Sequence, residues 1–523
     1  MAGVATPAGT GGLRPAIVFT GFMGAGKTTL AREVAHALNV PLQDSDALLV
    51  AELGTDIESF FASHGEAAFR EREARLVGEL LERADGGVIA LGGGALTSAR
   101  VREALRSHVA VLVDVDVEVA WQRAQGKGRP LARDRDAFLA LFAQREATYL
   151  EAADVILPSG TGLGAVRRAL QSIQSVPSTP AGTRLLWASA ASGEYPVWVG
   201  RALLGHEDLP WPLPEGRRFG ISDSSVADLH AGRVPQLAGL IEIPPGEAYK
   251  TLETAGRVWR ALADAGATRG DHVVAVGGGV VGDLAGFAAA CFQRGIPVVQ
   301  VPTTVVSQVD SAYGGKTGVD LPEAKNYVGA YHQPAGVIVD TATLATLPVE
   351  EHAAGYAEVV KTALIAGGVL WDRVRSGAPV DDDVILSCAR TKLATVAADE
   401  RDGGRRQVLN LGHTIGHAIE TVTGYARYRH GEAVSLGLLA ALTLSGQGEL
   451  RAEVRALLHE AGLPTSIDPS IDRDEVLRAT AKDKKRVGQA TPFVLVDAPG
   501  QVSIGHHLPP DQIRHAIASL AGD

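Results

Sequence analysis

A chain of 523 residues is more than one hydrophobic core usually serves, so two or three domains are expected. An apolar fraction of 46% and a charged fraction of 21% fit a globular rather than a disordered or fibrous chain, and a net charge of −11 argues against nucleic acid as the main partner. Only two cysteines (Cys291 and Cys388), no apolar run of roughly 18 residues and no signal-peptide pattern at the N-terminus argue against a disulfide framework and a membrane partner; the expected compartment is cytoplasmic.

Residues 1–14 read as a flexible leader. From Ala16 to Thr20 a β-type run meets a glycine-rich turn, and an amphipathic helical pattern follows through Leu38. The turn, Gly21-Phe-Met-Gly24-Ala25-Gly26-Lys27-Thr28 with Thr29 behind it, fits GxxxxGK[ST] between a strand and a helix. Its backbone amides can cradle phosphates, Lys27 can reach the transferred phosphoryl group and Thr28 can ligate Mg²⁺. Asp44-Ser45-Asp46 then supplies two carboxylates at the expected end of the next strand. Alternation would turn them to one side, able to hold an acceptor hydroxyl; standing alone they would be a solvated acidic loop. Short strands such as 87–91 and 109–115 alternate with helical stretches to about Leu170, which predicts a parallel α/β domain over 15–171. The Pro/Ser/Gly-rich text SIQSVPSTPAGT places a linker at 172–190.

A second α/β segment spans 191–347, with candidate strands VWVG, FGIS and HVVAV. Directly after the last of these, Gly277-Gly-Gly279-Val280-Val281-Gly282 satisfies GxGxxG and Asp283 follows, a weak dinucleotide signal by itself. Residues 348–523 change to long helical patterns. Glu358, His413, His417 and His430 are a carboxylate and imidazoles suited to Zn²⁺. At i, i+4, His413 and His417 share one helix face, and from spacing alone both are candidate ligands. Lys316, Lys325, Lys361, Lys392, Lys484 and Arg406 could bind a substrate bearing carboxylate and phosphate; Lys484-Lys485 could equally be a solvated charge run.

The first segment resembles shikimate kinase over about 14–170. The resemblance rests on the P-loop, Asp44-Ser-Asp46, Gly65-Glu66, Phe69-Arg70-xx-Glu73, Leu91-Gly-Gly93-Gly94, Gly128-Arg129-Pro-Leu and Arg145 before Tyr149. It implies a P-loop kinase fold like that of nucleoside-monophosphate kinases, using ATP with Mg²⁺. Asp46 would bind shikimate and orient or deprotonate its hydroxyl, while Arg70 and Arg145 would clamp the carboxylate. Gly93 would contact substrate through its backbone, and Arg129, in a mobile lid, would close over the phosphates.

The second segment resembles 3-dehydroquinate synthase over about 190–515. The motifs are Gly246-Glu247-Ala-Tyr-Lys250, the glycine run with Asp283, Pro302-Thr303-Thr304, Asp310-Ser-Ala-Tyr-Gly-Gly-Lys316, Lys325-Asn326, Gly355-Tyr-Ala-Glu358-Val-Val-Lys361, Asn410-Leu-Gly-His413-Thr-Ile-Gly-His417, His430-Gly-Glu432 and Asp483-Lys484-Lys485. The resemblance implies a Rossmann-like α/β NAD domain followed by a mainly helical metal- and substrate-binding domain. Glu358, His413 and His430 would be the ligands of Zn²⁺ or Co²⁺, leaving His417 to bind substrate or shuttle protons. Asp310, Lys316, Lys325, Asn326, Lys361, Lys392, Arg406, Asn410, Lys484 and Arg294 would line the substrate site, with Lys316, Lys361, His417 and Arg294 catalytic. NAD would be held by Asp223, Glu247, Lys250, Gly279–Gly282, Asp283, Thr303, Thr304, Lys316, Lys325 and the loop Thr343-Leu344-Ala345-Thr346. A heptulosonate phosphate would be oxidised, lose phosphate, be reduced again and close to 3-dehydroquinate, with NAD recycled. A homodimer through this half is implied. One position departs from the pattern: Asp402 stands where Glu is usual. Rival readings are another small-molecule P-loop kinase, another sugar-phosphate cyclase or polyol dehydrogenase, and a degenerate binding module.

Overall fold

A computed structural model describes residues 14–125, 130–486 and 492–521. Nearly all of the expected leader, and Arg129, lie outside the described residues. The chain divides into two compact units, residues 1–177 and 178–523.

The first unit runs β1 (Ile17–Thr20), α1 (Lys27–Leu38), β2 (Leu42–Asp44), α2 (Ser45–Leu53), α3 (Ile57–Arg83), β3 (Val88–Ala90), α4 (Ala99–Leu105), β4 (Val109–Asp114), α5 (Val117–Ala124), α6 (Arg135–Ala152), β5 (Val155–Pro158) and α7 (Leu163–Ser175). Its five strands are all parallel in the order β2-β3-β1-β4-β5. Strands buried on both faces, as β1, β3 and β4 are, belong to a sheet covered by helices on both sides. After β1 the chain leaves to one side for β2 and β3 and later takes the other side for β4. The reversal opens a crevice at the carboxyl end of β1, the usual ligand position in such sheets. Gly65, at φ 80°, breaks α3.

The second unit opens with a hairpin, β6 (Arg184–Ala190) and β7 (Gly193–Gly200). There follow β8 (Arg218–Asp223), α8 (Ser224–His230), β9 (Leu237–Ile243), α9 (Leu252–Asp264), β10 (His272–Gly277), α10 (Gly279–Cys291) and β11 (Val298–Pro302). An antiparallel ribbon, β12 (Lys316–Leu321) and β13 (Ala324–Tyr331), precedes β14 (Gly336–Asp340). Strands β7-β14-β11-β10-β8-β9 are parallel in that order, and β6 is antiparallel on β7. Here too the order reverses, between β8 and β10. An apolar core including Phe219, Val258, Leu284 and Phe287 packs α9 and α10 against this sheet.

The remainder is mainly helical: α11 (Val349–Ala366), α12 (Gly368–Arg375), α13 (Asp382–Ala398), α14 (His413–Val422), α15 (His430–Leu444), α16 (Gly448–Glu460), α17 (Arg473–Arg486), the hairpin β15 (Phe493–Ala498) and β16 (Gln501–His506), and α18 (Pro510–Ala518). The expected fold class, α/β with a helical last part, is what the structure shows. Between the units, helix α7 ends at Ser175 and strand β6 starts at Arg184, so the stretch outside long elements is 176–183. No described helix is long and apolar enough to cross a membrane.

Candidate active sites

In the first unit the P-loop connects β1 to α1, and its glycines have separate reasons. Gly24 has φ 83°, and a Cβ there would lie 2.5 Å from the Ala120 carbonyl oxygen; Gly26 has φ 100° with nothing within 4 Å of its Cβ direction. Helix α1 starts without a side-chain cap or an acidic residue in its first turn, which leaves its N-terminal amides and dipole available to an anion. Lys27 donates to the carbonyls of Gly21 (2.9 Å) and Phe22 (3.0 Å), lying back across the loop. Thr28 Oγ1 donates to Asp44 Oδ2 at 2.9 Å.

The two carboxylates of the Asp44-Ser-Asp46 motif are not presented by strand alternation. Asp44 ends β2 and caps α2, its Oδ1 accepting from the amides of Asp46 and Ala47, so Asp46 belongs to the first turn of a helix. A capping Asp starts a helix more strongly than the short strand can continue. Asp46 then faces Gly92, beside Glu73. Gly92 donates its N–H to Ser45 Oγ at 2.8 Å. Gly93 offers its carbonyl to Arg145 Nη1 (3.0 Å) and to the Tyr149 hydroxyl (2.5 Å). A side chain at Gly94 would collide with the guanidinium of Arg70. Arg70 is held by Glu73 at 2.5 Å and Glu66 at 3.1 Å, and it lies over the ring of Phe69. Burial pushes the Glu73 carboxyl up in pKa, and Arg70 pulls it partly back. Asp46, Arg70, Gly93 and Arg145 thus converge on the Gly92–Gly94 turn beside the P-loop. The buried Glu73 that holds Arg70 is a further residue of this site, and its i, i+3 spacing from Arg70 on α3 is the signal of it in the sequence.

In the second unit a cavity of about 590 Å³ is lined from both the α/β and the helical parts, by residues including Asp283, Asp310, Asn326, Lys361, Asn410 and His417. On the α/β side, Gly277 ends β10, where a Cβ would lie 2.6 Å from Val281, and α10 begins without a side-chain cap. Asp223 at the end of β8 caps α8, and the Thr303 N–H donates to the Gly277 carbonyl at 3.0 Å. These residues ring the carboxyl ends of the strands where the order reverses. Residues 343–346 belong to a 3₁₀ turn rather than an open loop, held where Gln308 donates to Thr343 Oγ1 at 3.0 Å. Thr304 Oγ1 is 2.9 Å from Ser307 Oγ.

Lys250, buried, gathers acids around its ammonium: Glu247 at 2.8 Å, Asp283 at 3.5 Å and Asp320 at 3.7 Å, and it donates to Asn326 Oδ1 at 2.7 Å. Burial pushes the Asp283 carboxyl up to about 7, against the pull of Lys250. Lys325 on β13 stands 3.7 Å from Glu247 and 3.5 Å from Glu420.

On the helical side, Glu358 of α11, His413 at the start of α14 and His430 at the start of α15 bring their ligand atoms within 4.8 Å of one another. Glu358 Oε1 is 3.5 Å from His413 Nε2 and 3.4 Å from His430 Nε2. The Glu358 carboxylate is buried: Oε2 pairs with the Lys361 ammonium, while Oε1 is left facing the two imidazoles, where a cation could be held. His413 Nδ1 lies 3.1 Å from the Leu411 carbonyl, which directs Nε2 toward the centre. Burial, with the Lys361 ammonium beside it, holds the His413 imidazole down to about 3; burial raises the Glu358 carboxyl, but its neighbours, Lys361 foremost, outweigh it and bring it to about 2. The donor set fits a divalent metal of the zinc or cobalt kind. Glu420, His417 and His430 form a second, overlapping cluster.

Asp310, in a π-helical turn, accepts from Lys361 at 2.8 Å and pairs with Lys392; Lys361 also pairs with Glu358. Buried Arg406 donates to the carbonyls of Glu400 (2.5 Å) and Gly314 (3.1 Å), and its Nε has no hydrogen-bond partner among the described residues. Lys316 pairs with Asp402, whose φ is 61°. Asp is tolerated in this left-handed region better than Glu, a local reason for the departure at that position. Arg294 and Lys325 are not among the residues that line the cavity, and Arg294 is exposed in a tight turn after α10 at φ 72°. The Lys484 side chain lies outside the described residues. Asp320 and Glu420 were not anticipated, because each acquires its partner only through the fold; Glu420's place three residues after His417 was the one signal in the text.

Family models match the chain in three places: shikimate kinase over 23–173, the 3-dehydroquinate synthase N-terminal part over 240–354 and its C-terminal part over 355–486. The 3-dehydroquinate synthase of Azotobacter vinelandii (strain DJ / ATCC BAA-1303) is 41% identical over 344 residues, 62% of this chain and 93% of that protein. That of Methylococcus capsulatus (strain ATCC 33009 / NCIMB 11132 / Bath) is 43% identical over 331 residues, 59% of this chain and 92% of that protein. Among solved structures, the 2-epi-5-epi-valiolone synthase from Streptomyces hygroscopicus subsp. jinggangensis 5008, with NAD⁺ and Zn²⁺ bound, is 26% identical with a TM-score of 0.58, covering 64% of this chain and 98% of that one. These matches do not favour the rival kinases or dehydrogenases. Through its second unit the chain belongs to the 3-dehydroquinate synthase family, and its first unit is a shikimate kinase domain, so one polypeptide joins two enzymes of the shikimate pathway.

Proposed function

We propose that this bifunctional enzyme phosphorylates shikimate to shikimate 3-phosphate at the first site and cyclises 3-deoxy-D-arabino-heptulosonate 7-phosphate to 3-dehydroquinate at the second. The observation that carries the second assignment is the meeting, in one cavity, of the Glu358–His413–His430 cluster with the Lys361–Asp310–Lys392 array and the Lys250–Asn326 side.

In the kinase, Thr28 and the P-loop amides would hold Mg²⁺ and ATP. Arg70 and Arg145 would receive the substrate carboxylate, and Asp46 would orient the attacking hydroxyl. Arg129, outside the described residues, is retained as the lid arginine. In the synthase, Glu358, His413 and His430 would hold zinc or cobalt, and Asp223, Glu247, Lys250, Asp283, the β10–α10 turn, Thr303, Thr304 and residues 343–346 would hold NAD. Together these groups supply Lewis-acid polarisation and a hydride acceptor that is returned to its starting state. Asp310 holds Lys361 and Lys392 as a buried cationic pair; Lys361 is kept protonated well above the usual range, burial being overcome by Asp310 and Glu358. That pair, with Arg406, Asn410 and Lys316, would bind the anionic ends of the substrate, and His417 on the cavity wall would carry protons.

A cytoplasmic homodimer completes the proposal. Both cysteines are free, which suits a reducing compartment. Arg294 is exposed and does not line its own chain's cavity, which leaves it available to the site of a second copy. The decisive experiment assays both reactions with and without a chelator. Shikimate-dependent ADP formation is expected to survive chelator with excess Mg²⁺, and heptulosonate-dependent phosphate release to stop without net NADH production. Steady NADH accumulation with simple polyols would sink the synthase assignment.

A further inference from the structure

We infer that Glu420 is a positioning residue of the synthase site: it orients the metal-ligand imidazole of His430 with one oxygen and holds the cofactor-side Lys325 with the other. The inference rests on the metal reading proposed above and adds a residue to it.

Glu420 lies on α14 at i+7 from His413 and i+3 from His417, so all three project from one face of the helix. Its side chain is 3% exposed. A carboxylate this buried is costly unless paired, and each of its oxygens faces a nitrogen partner. Oε2 faces His430 Nδ1 at 3.4 Å, and Oε1 faces Lys325 Nζ at 3.5 Å. The other nitrogen of His430, Nε2, faces Glu358 Oε1 at 3.4 Å. The ring therefore spans two buried carboxylates, one inside the candidate ligand set and one outside it. With Nε2 ligating a metal, the ring would carry its proton on Nδ1 and donate it to Glu420. His413 receives the same orientation from the Leu411 carbonyl. A carboxylate is the stronger acceptor and raises the donor strength of the imidazole it holds.

The second oxygen extends this function. Lys325 comes from the β12–β13 ribbon and stands between Glu420 and Glu247, with the Tyr425 ring 4.3 Å from its ammonium. Glu247 in turn pairs with Lys250 beside Asp283. Glu420 thus links the ligand cluster on α11, α14 and α15 to the Lys325–Glu247–Lys250 array of the α/β part, beside the separate link that Lys361 makes to Asp310.

The test uses the full-length chain. Zinc affinity is measured by chelator competition without NAD or substrate for wild type, Glu420→Gln and Glu420→Ala, and the visible spectrum of each cobalt-loaded form is recorded. Both variants are expected to bind zinc ~10–100-fold more weakly, Ala more so than Gln, and to shift the cobalt bands. Lys325→Met is expected to leave zinc affinity near wild type while weakening NAD binding, which separates the two oxygens' roles. Melting of the metal-free forms identifies a variant that fails to fold; the cobalt spectrum of the isosteric Gln form then carries the test. Unchanged zinc affinity and an unchanged cobalt spectrum would overturn the inference, as would two metal ions per wild-type chain with one lost in Glu420→Ala. If Glu358→Gln abolishes metal binding while the Glu420 variants do not weaken it, the metal site stands and Glu420's role falls. A wild-type chain that binds no zinc removes the metal reading itself.

Discussion

At Asp402 a backbone constraint meets a charge requirement. Its φ of 61° suits Asp, its carboxylate pairs with Lys316, and its Oδ1 is buried with no hydrogen-bond partner among the described residues, at the cavity wall. Because Lys316 is half exposed, the pair adds under ~1 kcal/mol to stability. Asp402→Asn is therefore expected to leave the melting temperature nearly unchanged but to lower synthase kcat/KM roughly tenfold, through loss of placement of Lys316. Asp402→Glu is expected to keep the charge and lose ~1 kcal/mol to left-handed strain, read from urea midpoints. Asp283 makes a different prediction. Its folded pKa of about 7 lies above its ordinary value of 3.8, so between those values the folded state holds the proton more tightly. Its contribution to stability is present below about pH 4 and is lost as pH rises to about 7. Asp283→Asn should flatten that part of the pH–stability curve; an unchanged slope would place the titration elsewhere. Such residues also mark the limit of what the sequence revealed. His413 and His417 advertise themselves by i, i+4 spacing, whereas Lys250 and Asp320 are 70 positions apart and meet only when the β12–β13 ribbon folds back.

Among the elements, the two glycine-rich turns were legible because each stands at the junction of a hydrophobic strand and a helix, a local pattern. Their internal mechanics were not. In the P-loop, Gly24 and Gly26 look alike in the text, yet one is packed against the Ala120 carbonyl and the other is open. Gly26→Ala is expected to cost ~1–2 kcal/mol, from left-handed strain alone. Gly24→Ala adds a collision with backbone and is expected to cost more and to weaken ATP binding as well; thermal melts with and without nucleotide compare the two. The Asp44-Ser-Asp46 motif failed as a strand-alternation argument for an equally local reason. The aspartate that ends β2 is itself the cap of α2, and a capped helix start outcompetes one more strand residue. The strand β6 inside residues 172–190 was hidden because the Pro/Ser/Gly text in front of it dominates the composition.

For the molecule as a whole, the Azotobacter vinelandii 3-dehydroquinate synthase is matched over 93% of its own length by 62% of this chain, and the shikimate kinase match stops at residue 173. Each unit carries its own set of parallel strands and its own candidate site. Cutting the chain within 176–183 is therefore expected to yield two halves that keep their separate activities. At equal concentrations, the mixed halves should sustain the same flux as the fusion, because the two reactions are not consecutive and the dehydratase and shikimate dehydrogenase act between them. A large gain from fusion would contradict this. Within the second unit, the three candidate ligands come from three different helices, α11, α14 and α15. An ion bound there does more than chemistry: it is a crosslink, and its binding free energy enters the cohesion of the helical part. The durability of that half then becomes a function of how much free metal its surroundings hold, so metal scarcity would be registered first as a protein that unfolds sooner, before it is registered as a slower enzyme.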